Sequence, residues 1–354
     1  MSTETTQEAR RQIEICNACR YCEGYCAVFP AINRQKAFAD ADITQLANLC
    51  HNCRGCYYAC QYTEPHEFAI NLPRILAEVR TDSWKDFAWP SGFARAYDKH
   101  GVGIAAAFVV CLIALILIAG SVQSAADGKG FYAYMSHSIM VAIFAPAFVL
   151  PLLAMVISVR RYWAHVGGKD LSLKTCRRAM LDVAKMRNLG GGQDQGCNFE
   201  DEDRFTNARR TAHQLTMWGF LLCFASTSSG TALHYVFDMP APYGLFSLPK
   251  LFGVPGGLML CGGTLWMIWL KLRADSDLSD ARVSGGDMAF VVLLFAISSS
   301  GLLLYAATGT ALVLYLLPFH LATVLALFLT LPYSKFVHGF YRLAALIRNA
   351  QNTG

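Results

Sequence analysis

Eight of the thirteen cysteines fall in two runs, CNACRYCEGYC at 16–26 and CHNCRGCYYAC at 50–60. Each run spaces its thiols as C-x2-C-x2-C-x3-C: Cys16, Cys19, Cys22 and Cys26, then Cys50, Cys53, Cys56 and Cys60. This is the bacterial ferredoxin spacing for a [4Fe-4S] cluster. Three thiolates at two-residue gaps can wrap one corner of a cubane, while the following turn carries the fourth away, and in two-cluster ferredoxins that fourth thiolate ligates the other cluster. The spacing therefore predicts one cluster on Cys16, Cys19, Cys22 and Cys60 and a second on Cys50, Cys53, Cys56 and Cys26. Structural zinc is the competing chemistry, but zinc gains nothing from a third cysteine at the same short gap. The proline that usually follows the fourth cysteine is absent, since Ala27 and Gln61 stand there. Loop geometry, rather than cluster type, is what that departure affects.

Histidines form the second chemically suggestive set. His137, His234 and His320 fall inside apolar stretches, and His213 and His338 lie at the ends of such stretches. Ionisable residues at membrane depth are functional candidates, and a haem b in a helical bundle needs two imidazoles at similar depth on facing helices. Two pairings follow on the third and sixth apolar helices: His213 with His338 on the inner side, and His234 with His320 in the outer half. His320 lies about 14 Å from its helix end and His234 about 5 Å. His137 matches His234 better in depth and is the alternative outer ligand. The bland alternative is that a histidine at a helix end anchors it at the interface. His51, His66, His100 and His165 read as surface or supporting groups.

The elements that must position these residues are of two kinds. The segment AINRQKAFADADITQLANL between the cysteine runs has a helical pattern, which favours a helical ferredoxin module over a small β-rich one. After about residue 100 the chain turns apolar. Residues 102–122, 134–159, 214–237 and 251–270 contain no Asp, Glu, Lys or Arg, and about 20 such residues span the hydrocarbon layer. Residues 288–334 are free of these four types for 47 positions, about 70 Å as one helix, so they form a hairpin breaking near Thr308–Thr310. Six transmembrane helices result.

Arg160, Arg161, Lys169, Lys174, Arg177, Arg178, Lys185, Arg187, Arg204, Arg209 and Arg210 crowd the loop between the second and third helices. The positive-inside rule makes that loop cytoplasmic. Alternation then puts the cysteine domain and both termini on the same side. The opening MSTETTQEAR lacks a basic start followed by an apolar run, so it reads as no secretory signal. A reducing cytoplasm also argues against disulfides as the purpose of so many thiols. The formal net charge of +5 lies beside apolar segments rather than on one polar face, which points to a membrane rather than to nucleic acid.

Other features carry less. LGGGQDQGC at 189–197 has no preceding strand and no G-x-G-x-x-G register. EDED at 200–203 reads as a solvated patch with docking as the sharper option, and Cys111, Cys223 and Cys261 read as buried structural thiols. No nucleophile-base set and no flavin signature is present, so the chain needs a partner to oxidise a substrate.

Three stretches together resemble one family: CNACRYCEGYCAVFPA, LCHNCRGCYYACQYTEPHEFAINLPRILAEVR and GCNFEDEDRFTNARRTAHQLTMWGFLLCFASTSSGTALHY. They closely resemble the tricarballylate and citrate utilisation protein B family, over nearly the whole chain. The resemblance implies a membrane protein with two [4Fe-4S] clusters and haem b that reoxidises the reduced FAD of a separate tricarballylate dehydrogenase. Electrons would pass to the membrane quinone pool. The runners-up are an iron-sulfur and haem subunit of another membrane oxidoreductase complex, and a zinc-stabilised membrane scaffold. The expected fold is an all-α membrane protein. It comprises a cytoplasmic two-cluster ferredoxin-like domain at 1–100, a six-helix haem b bundle at 101–340 with a cytoplasmic loop at 160–213, and a cytoplasmic tail at 341–354. Its location would be the bacterial cytoplasmic membrane, crossed several times.

Overall fold

The structure is a computed structural model that describes residues 3–122, 135–191, 196–198, 205–280, 282 and 284–353. Five helices build the cysteine region: α1 (Thr3–Cys19), α2 (Val28–Asn33), α3 (Asp40–Leu49), α4 (Gly55–Tyr58) and α5 (Leu72–Phe87). Apolar residues at helical spacing explain their packing, with Ala9 and Ile13 on α1, Ile43, Leu46 and Leu49 on α3, and Leu72, Ile75, Leu76 and Val79 on α5 all buried. Asn71 starts α5, because its side-chain oxygen accepts the Arg74 N–H at 3.2 Å and Pro73 sits in the first turn, where no N–H is missed. The Gln12 side-chain oxygen in turn accepts the Asn71 N–H at 3.0 Å, which ties α1 to the start of α5.

Six long helices follow: α6 (Ser91–Val122), α7 (His137–His165), α9 (Ala208–Phe237), α10 (Leu248–Arg273), α11 (Ser284–Ala306) and α12 (Val313–Thr330). A short helix, α8 (Leu173–Ala184), lies between α7 and α9. Five of the long helices are apolar enough to cross a membrane: residues 99–118 of α6, and α7, α10, α12 and residues 285–306 of α11. The protein is a helical membrane protein, but the expected count of six is not reached on apolarity. The exception is α9, which has the length, at 30 residues. Its Ser, Thr and Gly content has a packing reason. A Cβ on Gly219 would lie 2.5 Å from the Leu260 nitrogen, and one on Gly263 would lie 2.7 Å from the Thr216 nitrogen. The α9 and α10 backbones therefore approach through small residues. Thr227, Ser229 and Thr231 return their hydroxyls to carbonyls of the same helix.

Within α6 the backbone breaks helical geometry at His100, where the polar first part meets the apolar second. The hairpin turns between α11 and α12, where Gly309 has φ +87°, beside the expected break. The only paired strands among the described residues are two-residue segments, Cys197–Asn198 and Phe205–Thr206. The acidic EDED stretch lies outside the described residues.

The expected tail is a packed helix, α13 (His338–Thr353), which buries Tyr341, Ala344, Ala345 and Leu346. Gln45 of α3 donates to the Ala345 carbonyl at 2.8 Å, and Tyr162 of α7 donates its hydroxyl to Gln45 at 2.8 Å. A buried polar chain thus clamps the cysteine region between the end of the bundle and the last helix.

Candidate redox centre

Cys16 and Cys19 lie on the last turn of α1, and Arg20 then adopts a left-handed backbone at φ 56° that turns the chain back past Cys22 and Cys26. The second run starts as α3 ends at Cys50, which is extended, and passes through Asn52 at φ 54° and Arg54 at φ 66° before α4. Left-handed backbone costs a non-glycine residue roughly 1–2 kcal/mol. Its recurrence beside the cysteines is the kind of strain found where a chain wraps a site.

Two cavities result. The first, of about 220 Å³, is lined by Cys16, Cys19, Cys22 and Cys60 with Cys56 at one side. The second, of about 20 Å³, is lined by Cys26, Cys50, Cys53 and Cys56. Phe29, Leu72, Pro73 and Cys56 belong to both walls, so the cavities adjoin. Burial pushes the Cys16 thiol up to about 12, with repulsion from Cys60, Cys22 and Cys19 added, and it pushes Cys22 up to about 12 beside Cys60 and Cys19. Cys26 is held well above the ordinary thiol range by burial and then by Cys53 and Cys50, and Cys56 by burial, Cys53, Cys26 and Cys50. Thiols crowded in this way ionise only with a strongly positive partner, which a metal centre supplies.

Among the described residues no three His, Cys, Asp or Glu side chains converge to the spacing of a single metal ion. Backbone groups reach two of the sulfurs, with Asn52 N–H donating to Cys50 Sγ and Tyr62 N–H to Cys60 Sγ, each at 3.4 Å. The thiols gathered at the two cavities are the donor type that iron-sulfur clusters take.

Sequence reasoning missed the second cavity's cationic collar. Arg80 of α5 donates to the Cys50 carbonyl at 3.0 Å and the Ala47 carbonyl at 3.2 Å. Arg342 of α13 reaches the Cys50 carbonyl at 3.1 Å, and Arg209 of α9 the Asn52 carbonyl at 2.7 Å. Arg54 is itself buried in the wall. Burial, then the neighbouring Arg80, holds Arg342 down to about 9, and burial lowers Arg80. Close by, Asp287 pairs with Lys335 at 2.6 Å and Lys271 at 3.9 Å. His51, read as a surface or supporting group, lines the second cavity, donating Nδ1–H to the Leu49 carbonyl at 2.9 Å. Its position next to Cys50 was the available signal. Of the arginines, Arg209 entered the sequence reading only as a marker of topology.

The histidine pairs fare differently. His213, in the second turn of α9, and His338 have ring centroids 5.8 Å apart. His338 is the first residue of α13 and not the end of the sixth apolar helix, because a short turn at Lys335–Val337 intervenes. It donates Nδ1–H to the Lys335 carbonyl, which fixes the tautomer and leaves Nε2 as the ligand atom. Metal–imidazole bonds near 2 Å would set two ring centroids on one iron on the order of 6 Å apart, and the separation of this pair is of that size. The structure does not bring His234 and His320 together. His234 packs on His137 at 4.3 Å between ring centroids, and His137 Nε2 meets the Tyr235 hydroxyl at 2.7 Å. His320 turns instead to α11, where Nδ1 meets Ser300 Oγ at 3.0 Å. The depth mismatch is the reason: His234 sits in the last turn of α9, His320 two turns into α12. The 4.3 Å contact is too tight for an iron between the outer rings. His165 is exposed against Phe87, His100 is exposed at the α6 break, and His66 packs among Tyr62 and Phe68.

Two family models match the chain. Residues 9–86 match the citrate utilization protein B Fer4-like domain, and residues 95–353 match citrate utilization protein B. A citrate utilization protein B of Escherichia coli is 41% identical over 350 residues, covering 98% of this chain and 92% of its own length. No solved structure matches the chain.

Proposed function

The chain belongs to the citrate utilization protein B family, and from that premise we propose that it is a membrane electron-transfer protein serving citrate or tricarballylate utilisation. It takes electrons from the reduced FAD of a separate tricarballylate dehydrogenase and delivers them to a membrane quinone. Cys16, Cys19, Cys22 and Cys60 would hold one [4Fe-4S] cluster, Cys26, Cys50, Cys53 and Cys56 the other, and His213 with His338 a haem b. The observation that carries this reading is the mixing of the two runs in adjoining cavities: Cys60 of the second run lines the first cavity with Cys16, Cys19 and Cys22, Cys26 of the first run lines the second with Cys50 and Cys53, and Cys56 borders both. Such groups, when bound, exchange one electron at a time, which suits passage from a two-electron flavin. The chain's residues supply the setting: the N–H donors of Asn52 and Tyr62 on sulfur, the arginines on the Cys50–Asn52 carbonyls, and the carbonyl of Lys335 that orients His338.

The membrane in question is the bacterial cytoplasmic one, with the cysteine domain and both termini on the cytoplasmic side and α9 as a sixth span. A reporter active only in the cytoplasm should work when fused after Thr353 and fail when inserted in segment 123–134. Activity at both positions would overturn that topology. The cofactor reading is tested by anaerobic purification. We expect iron and acid-labile sulfide at about four each per cluster, with a haem absorbance band. Stoichiometric zinc without iron would establish the scaffold reading instead.

A further inference from the structure

The two cavities share a wall but sit in opposite electrostatic surroundings. No charged side chain lines the first. Its rim opens to solvent at Cys19, Tyr21 and Gln61, and Tyr21 is 67% exposed. The second is approached from three directions by guanidinium groups. Arg80 comes from α5, Arg209 from the first turn of α9 and Arg342 from the first turn of α13, and all three end on carbonyls of the Cys50–Asn52 loop within 3.1 Å. The carboxylate acting on Arg80 and Arg342 is Asp287, and it is shared with Lys335 and Lys271. Among the described residues the cations gathered here outnumber the carboxylates, an arrangement that favours an anion in the cavity they border.

We propose that Arg80, Arg209 and Arg342 make the second thiol cavity the higher-potential site of the pair, so that electrons come in at the solvent-facing first cavity and leave from the second toward the membrane helices. The inference rests on the reading that both cavities hold iron-sulfur clusters. Adding an electron to a site makes it more negative by one charge, and fixed cations in a poorly screened interior favour that form. Cations on the loop that bears Cys50 and Cys53 therefore stabilise the reduced second site, and the uncharged wall of the first offers nothing equivalent. Geometry gives the same direction. The exposed rim of the first cavity is where a soluble flavoprotein can reach, whereas two of the three arginines are carried by α9 and α13, the helices that also bring His213 and His338 together. Each transfer moves one electron and no proton: the first site is oxidised as the second is reduced. The reductant is the partner's reduced flavin and the final oxidant a quinone.

The test is an EPR-monitored redox titration of the full chain, purified anaerobically in detergent, as wild type and as Arg342→Gln and Arg342→Lys. Wild type should show two cluster signals of different midpoint potential. Arg342→Gln should lower only the higher one, by at least tenfold in its reduction equilibrium, which is 59 mV for one electron. Arg342→Lys should restore most of the shift, which a merely structural role for the side chain would not predict. Should Arg342→Gln lose a cluster, Arg209→Gln carries the test with the same expectation. A shift confined to the lower-potential signal, or two intact signals that respond to neither glutamine variant, would overturn the inference and leave the two-cluster reading standing. Wild-type protein without iron or sulfide would overturn both.

Discussion

The first cavity has no charged side chain in its wall and solvent at its rim, whereas the second is collared by arginines, although both are made from the same spacing of cysteines. The first is walled by residues 15–73 alone. Onto the Cys50–Asn52 loop of the second come side chains from α5, α9 and α13. The comparison teaches that a repeated ligand motif need not make equivalent sites. What distinguishes them is supplied from far along the chain.

The comparison breaks most visibly if ligands are removed one site at a time. Cys53→Ala should destabilise the protein by about 3–5 kcal/mol, the cost of leaving buried charge uncompensated, because the arginines lose their resident anion. Cys19→Ala, at the exposed rim of the first cavity, should cost clearly less. Thermal unfolding of the two anaerobic variants decides it, and equal losses would erase the distinction between the sites.

A large but more local effect is expected at the histidines. His338→Ala should abolish low-spin haem absorbance while both iron-sulfur signals persist, and His320→Ala, whose ring is engaged with Ser300, should leave the haem band in place. Loss on His320→Ala alone would return the haem to the outer half of the bundle.

The cation excess also predicts a pH dependence. Burial holds Lys335 down to about 8 from an ordinary 10.5, with Asp287 only partly opposing it. With the folded value below the unfolded one, the penalty of burying the charged amine is complete below about pH 8. It is relieved as pH rises toward 10.5, where the unfolded chain still binds the proton and the folded chain does not. Chaotrope unfolding of cluster-free protein should therefore show stability rising over that window, and Lys335→Met should flatten the slope. The smallest effect belongs to the side of the first cavity, where the exposed Glu8–Arg11 pair at 2.6 Å is worth no more than about 1 kcal/mol. Arg11→Gln should move neither cluster potential nor the melting temperature measurably.

What was legible in the sequence follows the range of the interactions involved. Cysteine spacing is local, so the eight thiols and the helical character of the segment between them could be read directly. Five apolar spans were equally plain, whereas α9, uncharged over 214–237 but rich in Ser, Thr and Gly, shows that an uncharged run alone does not make an apolar helix. The pairing of His234 with His137 could not be read, because it depends on which faces of α7 and α9 meet and not on depth alone. Nor could the collar: Arg80 sits in an ordinary amphipathic helix, and Arg209 and Arg342 resemble the loop and tail cations that merely orient membrane helices. Their chemistry appears only when residues 50–54 fold against residues 30 to 292 positions away. The docking of α13 escaped notice for the same reason, as Gln45, Tyr162 and Ala345 have meaning only together.

The crossing of the two runs is the central claim, and EPR spectroscopy of anaerobically reduced Cys60→Ser tests it most directly. Cys60 belongs to the second run in sequence but lines the first cavity with Cys16, Cys19 and Cys22. The account predicts that the lower-potential cluster signal is lost or altered while the higher-potential one, assigned to Cys26, Cys50, Cys53 and Cys56, stays as in wild type. Loss of the higher-potential signal with the lower one untouched would mean that each run serves its own cluster, and would contradict it.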